Sequence, residues 1–312
     1  MDASFCIYWN CCFYFDLTLM PLNCIFEFMN KVKIIECPRD AMQGIKSHFI
    51  STEAKAGYIN SLLKVGFDTI DFGSFVSPKA IPQMRDTAAV LSKLDISQTQ
   101  SKLLAIIANV RGANDAAQFE EIDYLGYPFS ISENFQMRNT HKTIHQSIEA
   151  LEEILSIAIR RNKEVVAYLS MGFGNPYGDP WNVEIVGEWT EKLSNMGVKI
   201  ISLSDTIGSS TPDVIEYLFS NLIPSYPNIE FGAHLHTTPD SWHEKVNAAY
   251  NAGCHRFDGA IKGYGGCPMA KDELTGNMPT EKLLSYFTAE KAITGVKPMS
   301  FESAYNKALQ IF

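Results

Sequence analysis

The 312-residue sequence lacks the patterns that define several protein classes. It has no Cys-x-x-Cys pair, and its seven cysteines are an odd number, so neither a disulfide framework nor a structural zinc site is indicated. Basic residues are fewer than acidic ones, 26 against 35, and the net charge of −9 gives no electrostatic basis for binding nucleic acid or anionic lipid. We therefore expect a reduced, cytoplasmic protein with a small-molecule ligand and no nucleic-acid or membrane partner. An anionic ligand would need a local cluster of positive groups or a metal.

Residues 1–28 differ from the rest of the chain. They contain four of the seven cysteines and many aromatic residues, but no basic residue. Asp16 and Pro21 interrupt the apolar run well short of the ~20 residues that span a bilayer, and the features of a signal or transit peptide are missing. We expect a misassigned start, with Met29 as the natural one. The alternative is a genuine apolar extension that packs on the rest of the chain or on a partner.

From residue 29 onward the sequence alternates short apolar runs with helical patterns, which predicts a single (β/α)8 TIM barrel over residues 29–312. The predicted strands are Val32–Glu36, Thr69–Phe72, Leu103–Ala108, Tyr127–Ile131, Glu164–Ser170, Lys199–Ser204, Glu230–Leu235 and Arg256–Ala260. A doubly wound sheet is the rival, but its phosphate-binding glycine pattern is missing after the first strand. The active site of a TIM barrel lies at the C-terminal ends of the strands, so chemically active residues should follow the apolar runs.

A His-x-His pair ends the seventh predicted strand. His234 and His236 should point to the same side of the strand and aim two imidazoles at one place, as a metal site requires. Asp40, after the first strand, is close enough around a closed barrel to join them, and Asn277 could add an amide oxygen. This mixed donor set suits Mg²⁺ or Mn²⁺, with Zn²⁺ or Co²⁺ as alternatives. The other interpretation is a hydrogen-bonded pair of core histidines.

Further polar residues follow other strands, and each has a structural alternative. Arg39 could belong to the site or to a surface salt bridge, and Asp205 could face the site or cap the next helix. Asp71 is a candidate polar group at the end of the second strand. Cys267 follows three glycines after the eighth strand; it is either inert packing or a proton-transfer group on a mobile loop at the catalytic face.

Together these motifs resemble the hydroxymethylglutaryl-CoA lyases. That family belongs to a metal-dependent barrel superfamily with the isopropylmalate, homocitrate and citramalate synthases. The likeness runs from about Val32 to Thr288. The motifs that carry it are PRDAMQ (38–43), SFVSPKAIPQM (74–84), SLSDTIG (202–208), AHLH (233–236), GYGGCPMA (263–270) and GN (276–277).

The resemblance implies a metal-dependent carbon–carbon lyase that cleaves 3-hydroxy-3-methylglutaryl-CoA to acetyl-CoA and acetoacetate, as in leucine degradation, and that forms a homodimer. It assigns Arg39 to the thioester carbonyl and the developing enolate, Cys267 to acid–base chemistry, and Asp205 to deprotonation of the tertiary hydroxyl. Asp71 would be a further catalytic group. The implied metal ligands are Asp40, His234, His236 and Asn277, and the implied pocket residues are Gln43, Ser74, Tyr168 and Thr206.

The sequence departs from the family pattern at several positions. Asp71 stands where the lyases usually have Glu, and Leu235 and Thr237 replace Cys and Asp in the usual His-Cys-His-Asp run. Cys37 stands where small residues are common, and the segment between Cys267 and Asn277 is one residue longer than usual. These changes leave open a related acyl-CoA lyase or an alkylmalate-type condensing enzyme. A barrel that has lost catalysis and serves as a binding or structural partner is a third possibility, against which the retained motif residues argue.

Overall fold

A computed structural model describes residues 31–266 and 275–312, and its centre is a closed barrel of eight parallel strands. Two further short strands, β8 and β10, pair antiparallel outside the barrel. The strands are β1 (Lys33–Glu36), β2 (Thr69–Ser74), β3 (Lys102–Ile106), β4 (Tyr124–Ser130), β5 (Glu164–Ser170), β6 (Ile200–Ser204), β7 (Glu230–His234), β8 (His236–Thr237), β9 (Arg256–Gly259) and β10 (Gly276–Asn277). The barrel closes through β1 and β9, where Ile35 pairs with Asp258. The predicted (β/α)8 fold class is therefore confirmed.

Helices lie between the strands in the order that a (β/α)8 barrel requires. They are α1 (Pro38–Gln43), α2 (Thr52–Leu62), α3 (Thr87–Leu91), α4 (Val110–Ala116), α5 (Glu133–Thr140), α6 (Ile144–Arg160), α7 (Val183–Asn195), α8 (Pro212–Ser225), α9 (Trp242–Asn251), α10 (Thr280–Ala289) and α11 (Pro298–Ala308). Over the described ranges, none of these helices has the length and apolar character needed to cross a bilayer.

All eight predicted barrel strands are present, but some boundaries were wrong. The strand predicted at Glu230–Leu235 ends at His234, and His236 starts a separate strand. The apolar pattern over His141–Arg161 predicts one helix, and the structure has one helix there, α6, which begins at Ile144 rather than at His141. His141 adopts a left-handed backbone conformation with φ of 56°, which ends α5, and a capping box between Thr143 and Gln146 starts α6.

The barrel has two separate apolar regions because neighbouring residues of a strand point to opposite faces. The larger one includes alternate strand residues such as Leu203 and the inner faces of the helices. The smaller one contains side chains from the intervening strand positions: Leu104, Ile106, Tyr124, Val166, Tyr168 and Ile200. It thus fills the part of the barrel below the C-terminal strand ends, and Tyr168 brings it into contact with the candidate site.

Glu36, at the end of β1, binds two segments that follow β9, one at Ile261 and the other at the start of α10. Its carboxylate is fully buried and accepts hydrogen bonds from the backbone N–H of Ile261 at 2.9 Å and from the hydroxyl of Thr280 at 2.5 Å. Burial raises the pKa of Glu36 to about 8, although both hydrogen bonds favour the charged form. The carboxyl group therefore holds Ile261 and Thr280 in place at the cost of pH-dependent stability.

Replacing Glu36 with glutamine is expected to flatten the pH dependence of the free energy of unfolding between about pH 5 and 8. A carboxyl group whose pKa is raised on folding stabilises the protein fully below its unfolded-state pKa and loses that contribution as the pH rises through the folded-state value. The wild-type protein should lose up to about 1.4 kcal/mol per pH unit in this window. Urea unfolding at several pH values measures the slope, with Glu152→Gln on the exposed face of α6 as the control. Equal slopes for Glu36→Gln and wild type would contradict the assignment.

Candidate active site

Three potential metal ligands meet at the C-terminal end of the barrel. Asp40 is in the first turn of α1, His234 ends β7, and His236 begins β8. Each offers one ligand atom, and these atoms all lie within 4.8 Å of one another. The two imidazole rings have centroids 5.4 Å apart. The structure therefore brings these three predicted metal-binding side chains together, as the His-x-His spacing indicated.

The remaining ring nitrogens of both histidines have fixed partners. Nδ1 of His234 lies 3.0 Å from a carboxylate oxygen of Asp258, and Nδ1 of His236 lies 3.1 Å from the carbonyl oxygen of Thr206. Since these oxygens accept, each Nδ1 donates, and Nε2 is the ring atom that can bind another ligand. Burial lowers the pKa of His234, but the hydrogen bond and charge of Asp258 outweigh it and raise that pKa, so a cation would displace a proton from this ring. Such outer contacts typically orient metal-binding histidines.

A buried nitrogen without a partner supports a metal at this place. Nε2 of His236 is buried and has no hydrogen-bond partner in the part of the chain that the structure describes. Burial, and then the neighbouring His234, lower the pKa of His236 to about 4, so the imidazole is neutral at pH 7 and able to coordinate. Two imidazoles with a carboxylate fit a divalent cation.

Asn277 reaches the same place through strand pairing. β10 pairs antiparallel with β8, so that Asn277 lies opposite His236. Its amide nitrogen donates to a carboxylate oxygen of Asp40 at 2.7 Å and to the carbonyl of Tyr264 at 2.8 Å. Both amide hydrogens are thus used, and the group of Asn277 that remains for a cation is its amide oxygen.

Arg39 lies beside this cluster with its guanidinium between two carboxylates. One nitrogen donates to Asp40 at 2.8 Å, and two others donate to Asp71 at 2.5 to 3.2 Å. Burial works against the charge of Arg39, but the two carboxylates outweigh it and raise the pKa of the guanidinium. Burial likewise raises the pKa of Asp40, but Arg39 and then His234 outweigh it and lower that pKa to about 2. Arg39 therefore stays cationic and Asp40 stays anionic.

Asp71 contacts Arg39 and is fully buried beneath it. Burial raises the pKa of Asp71 to about 6, against the attraction of the guanidinium. Although Asp71 is one methylene shorter than the usual Glu, its carboxylate reaches both Nε and Nη2 of Arg39. These contacts are those of a residue that positions Arg39.

Asp205 forms a buried ion pair with Lys245. Its carboxylate accepts a hydrogen bond from Lys245 at 2.9 Å, and the backbone N–H and hydroxyl of Ser210 also donate to it. Lys245 further donates to the carbonyls of Gly208 and His236. Asp205 and Lys245 thereby hold the segment that contains His236. Asp205 does not cap the next helix, whose N-cap is Thr211, and its buried contacts are those of a positioning residue rather than of a base that faces the site.

Replacing Lys245 with methionine is expected to lower the free energy of unfolding by about 3–5 kcal/mol, because it leaves the carboxylate of Asp205 buried without its partner. The matched control is Lys33→Met, which removes a lysine from a half-buried pair with Glu230 and should cost about 1 kcal/mol or less. Urea unfolding measures both. Similar losses for the two variants would show that the Lys245–Asp205 pair does not stabilise the fold more than an accessible pair does.

The predicted pocket residues surround the cluster, but several have their polar atoms engaged. Gln43 donates to Asp40 at 2.6 Å, and the Ser74 hydroxyl accepts from the N–H of Val76. Thr206 contributes its carbonyl to His236, while its hydroxyl accepts from the N–H of Met171. Tyr168 packs edge-on against His234, and its buried hydroxyl has no partner within the described ranges. Cys267 lies outside the described residues.

Two residues near the site, Asp258 and Lys245, escaped the sequence analysis. Asp258 orients His234, and Lys245 supports Asp205 and the carbonyl of His236. Asp258 could have been noticed as a charged residue inside a predicted barrel strand. For Lys245 no comparable signal exists, since lysine is common on helices.

The fold and this cluster define a (β/α)8-barrel enzyme with a candidate divalent-metal centre at the C-terminal ends of its strands. The chain belongs to the HMGL-like family, whose model matches residues 31–306. The family resemblance inferred from the motifs is thereby confirmed.

Named relatives agree with the family assignment. The chain is 32% identical over 271 residues to hydroxymethylglutaryl-CoA lyase YngG of Bacillus subtilis, covering 86% of this chain and 89% of that one. It is 33% identical to the mitochondrial hydroxymethylglutaryl-CoA lyase of Macaca fascicularis, over 88% of this chain and 84% of that one. Among solved structures, an HMG-CoA lyase from Acinetobacter baumannii in complex with coenzyme A and 3-methylmalate superposes with a TM-score of 0.83 at 28% identity. That match covers 91% of this chain and 92% of the other.

Proposed function

We propose that this protein cleaves 3-hydroxy-3-methylglutaryl-CoA to acetyl-CoA and acetoacetate. The observation that carries the proposal is the convergence of Asp40, His234 and His236 beside Arg39 at the catalytic face of the barrel. The named relatives across most of the chain length support the same substrate. A condensing activity has no comparable support among them.

A divalent cation, Mg²⁺ or Mn²⁺ in our proposal, would be held by Asp40, His234, His236 and Asn277. When bound, it would supply positive charge that lowers the pKa of the substrate's 3-hydroxyl group and offsets the charge of its carboxylate. The neutral imidazole of His236 and the anionic Asp40 are in the protonation states that coordination needs.

Arg39 acts on the thioester end of the substrate. A base takes the proton of the 3-hydroxyl group, the bond between C2 and C3 breaks, and its electron pair passes to C2 and the thioester carbonyl as an enolate. The guanidinium, held rigidly by Asp71 and Asp40, donates to that oxygen and stabilises the charge as it develops. Asp71 serves as the residue that positions Arg39.

Proton transfers complete the reaction. We propose that Cys267 protonates C2 of the enolate, which yields acetyl-CoA, while the 3-hydroxyl carbon becomes the ketone of acetoacetate. Asp205 assists the removal of the hydroxyl proton indirectly, because its partner Lys245 also donates to the His236 carbonyl and holds that segment in place. In this proposal Gln43, Ser74, Tyr168 and Thr206 line the acyl pocket. The homodimer and the cytoplasmic location stay predictions, and light scattering tests the first.

Purified protein is expected to release acetoacetate from 3-hydroxy-3-methylglutaryl-CoA with added Mg²⁺ or Mn²⁺, and to lose that activity in EDTA. Restoring the cation should restore turnover, which separates metal removal from unfolding. If cation binds but no acetoacetate forms, the substrate assignment is wrong, and shorter or longer 3-hydroxyacyl-CoA thioesters become the compounds to assay.

A further inference from the structure

A second group of metal-ligating side chains lies directly beside the first. The potential ligand atoms of Cys37, His234 and Asp258 all lie within 4.8 Å of one another. Strand pairing brings them together: Asp258 pairs with Ile35, two residues before Cys37, and His234 follows Ala233, which pairs with Phe257. A hydrogen bond of 2.8 Å from the N–H of Cys37 to the carbonyl of Gly259 fixes the start of α1 beside β9.

The donor atoms of this group are buried and weakly used. Cys37 is 2% exposed and Asp258 is 3% exposed. Among the described residues, the hydrogen bond of the Cys37 thiol is a long one of 3.8 Å to the carbonyl of Ile35. One carboxylate oxygen of Asp258 binds His234, and the other is buried without a partner in the described part of the chain. A polar atom in this condition indicates a bound water or ion.

Three carboxylates act on the Cys37 thiol, and Arg39 is the opposing positive group. Burial, and then the carboxylates of Asp258, Asp71 and Asp40, raise the pKa of the Cys37 thiol well above its usual value. The same carboxylates that disfavour a free thiolate would attract a divalent cation, and coordination would release the thiol proton to solvent. A thiolate, an imidazole and a carboxylate together select a thiophilic ion.

We propose that Cys37, His234 and Asp258 form an inner binding site for one thiophilic divalent cation of the Zn²⁺ or Cd²⁺ class. The inner site shares His234 with the outer set of Asp40, His234, His236 and Asn277. A cation in the inner site takes Nδ1 of His234 and removes the hydrogen bond that this nitrogen makes to Asp258. The imidazole then loses the contact that orients it for the outer set, so occupation of the inner site inhibits the enzyme.

Cadmium titration of the full chain tests the inner site, because a cadmium–thiolate bond produces an ultraviolet charge-transfer band. The proteins are wild type, Cys37→Ala, and the control Cys254→Ala, which removes a buried cysteine whose thiol contacts the Arg256 carbonyl at 3.3 Å. Any band from the remaining cysteines is common to all three proteins. Wild type and Cys254→Ala should show one additional equivalent of the band that Cys37→Ala lacks. Equal bands in wild type and Cys37→Ala would overturn the proposal.

A second variant keeps the test valid if Cys37→Ala does not fold. Asp258→Asn retains the thiol and should still produce the band, but at roughly 10–100-fold higher Cd²⁺ concentration, the scale on which altered metal surroundings act. Unchanged Cd²⁺ affinity in Asp258→Asn would remove Asp258 from the site.

The inner site and the lyase activity fail separately. The cadmium band needs no substrate, so it tests the inner site even in a protein that cleaves no thioester. Where turnover is present, Cd²⁺ should inhibit wild type and Cys254→Ala at a lower concentration than Cys37→Ala. Equal sensitivity of all three proteins would show that cadmium inhibits elsewhere, and it would overturn the inhibitory part of the proposal.

Discussion

His234→Ala is expected to lower kcat for acetoacetate release by roughly 10³-fold or more. Asp258 holds Nδ1 of His234 and leaves Nε2 as the atom that can bind a cation. Loss of a metal that stabilises the transition state by several kcal/mol corresponds to a rate loss of about this size. The affinity for Mn²⁺, measured from the magnetic resonance signal of free Mn²⁺, should fall in parallel. This second measurement distinguishes a lost metal site from a lost substrate contact.

The control for His234→Ala is His145→Ala. His145 is an exposed histidine on α6, with 84% of its side chain accessible, and it forms a long ion pair with Glu149. Turnover and Mn²⁺ affinity of this variant should match wild type. A His234→Ala enzyme that still binds Mn²⁺ tightly and still turns over would show that the metal centre lies elsewhere.

Arg39→Lys is expected to lower kcat by about 10²- to 10³-fold while Mn²⁺ still binds. Lysine keeps the positive charge but lacks the planar guanidinium group. It therefore cannot donate to Asp40 and to both carboxylate oxygens of Asp71 at once. Loss of one preorganised donor to a developing oxyanion costs about this much in other enzymes. Steady-state kinetics should show the loss in kcat more than in KM, because the enolate forms only as the bond breaks.

Two comparisons make the Arg39 experiment specific. Arg111→Lys changes an exposed arginine, 65% accessible, whose pair with Asp115 is long, and it should behave as wild type. Asp71→Asn keeps Arg39 but weakens its support, so its kcat should fall less than that of Arg39→Lys. If Asp71→Asn were the more damaged of the two, Asp71 would have a role of its own in proton transfer.

The alternation of strands and helices made the barrel predictable, because every barrel strand is buried and therefore reads as an apolar run. Boundaries were less certain where local chemistry decides. The helix predicted over His141–Arg161 begins later, at Ile144, since the left-handed conformation of His141 ends the preceding helix and the capping box at Thr143 starts this one. A periodic apolar pattern does not register such a break when helical residues continue on both sides of it.

The metal cluster was predictable to a similar degree. In an extended segment, residues two positions apart point to the same face, so the His-x-His spacing brings both imidazoles together. Closure of the barrel then brings Asp40 to them. For Asn277 the sequence offered only its place after the glycine-rich segment, which made it a candidate fourth ligand. Its position depends on the antiparallel pairing of β10 with β8, which sets Asn277 opposite His236, 41 positions earlier, and no local pattern in the chain indicates that contact.

The sequence by itself determined the fold class, the family and the residues that gather at the C-terminal face, because these depend on local periodicity and on short motifs. Only the tertiary structure decided what each acidic residue does. Asp71 forms an ion pair with Arg39, and Asp205 forms one with Lys245. Asp258 orients His234, whereas Asp40 is a candidate metal ligand. Those roles are set by partners from other strands and helices, and the charge, burial and pKa of a carboxyl group follow from its neighbours in space.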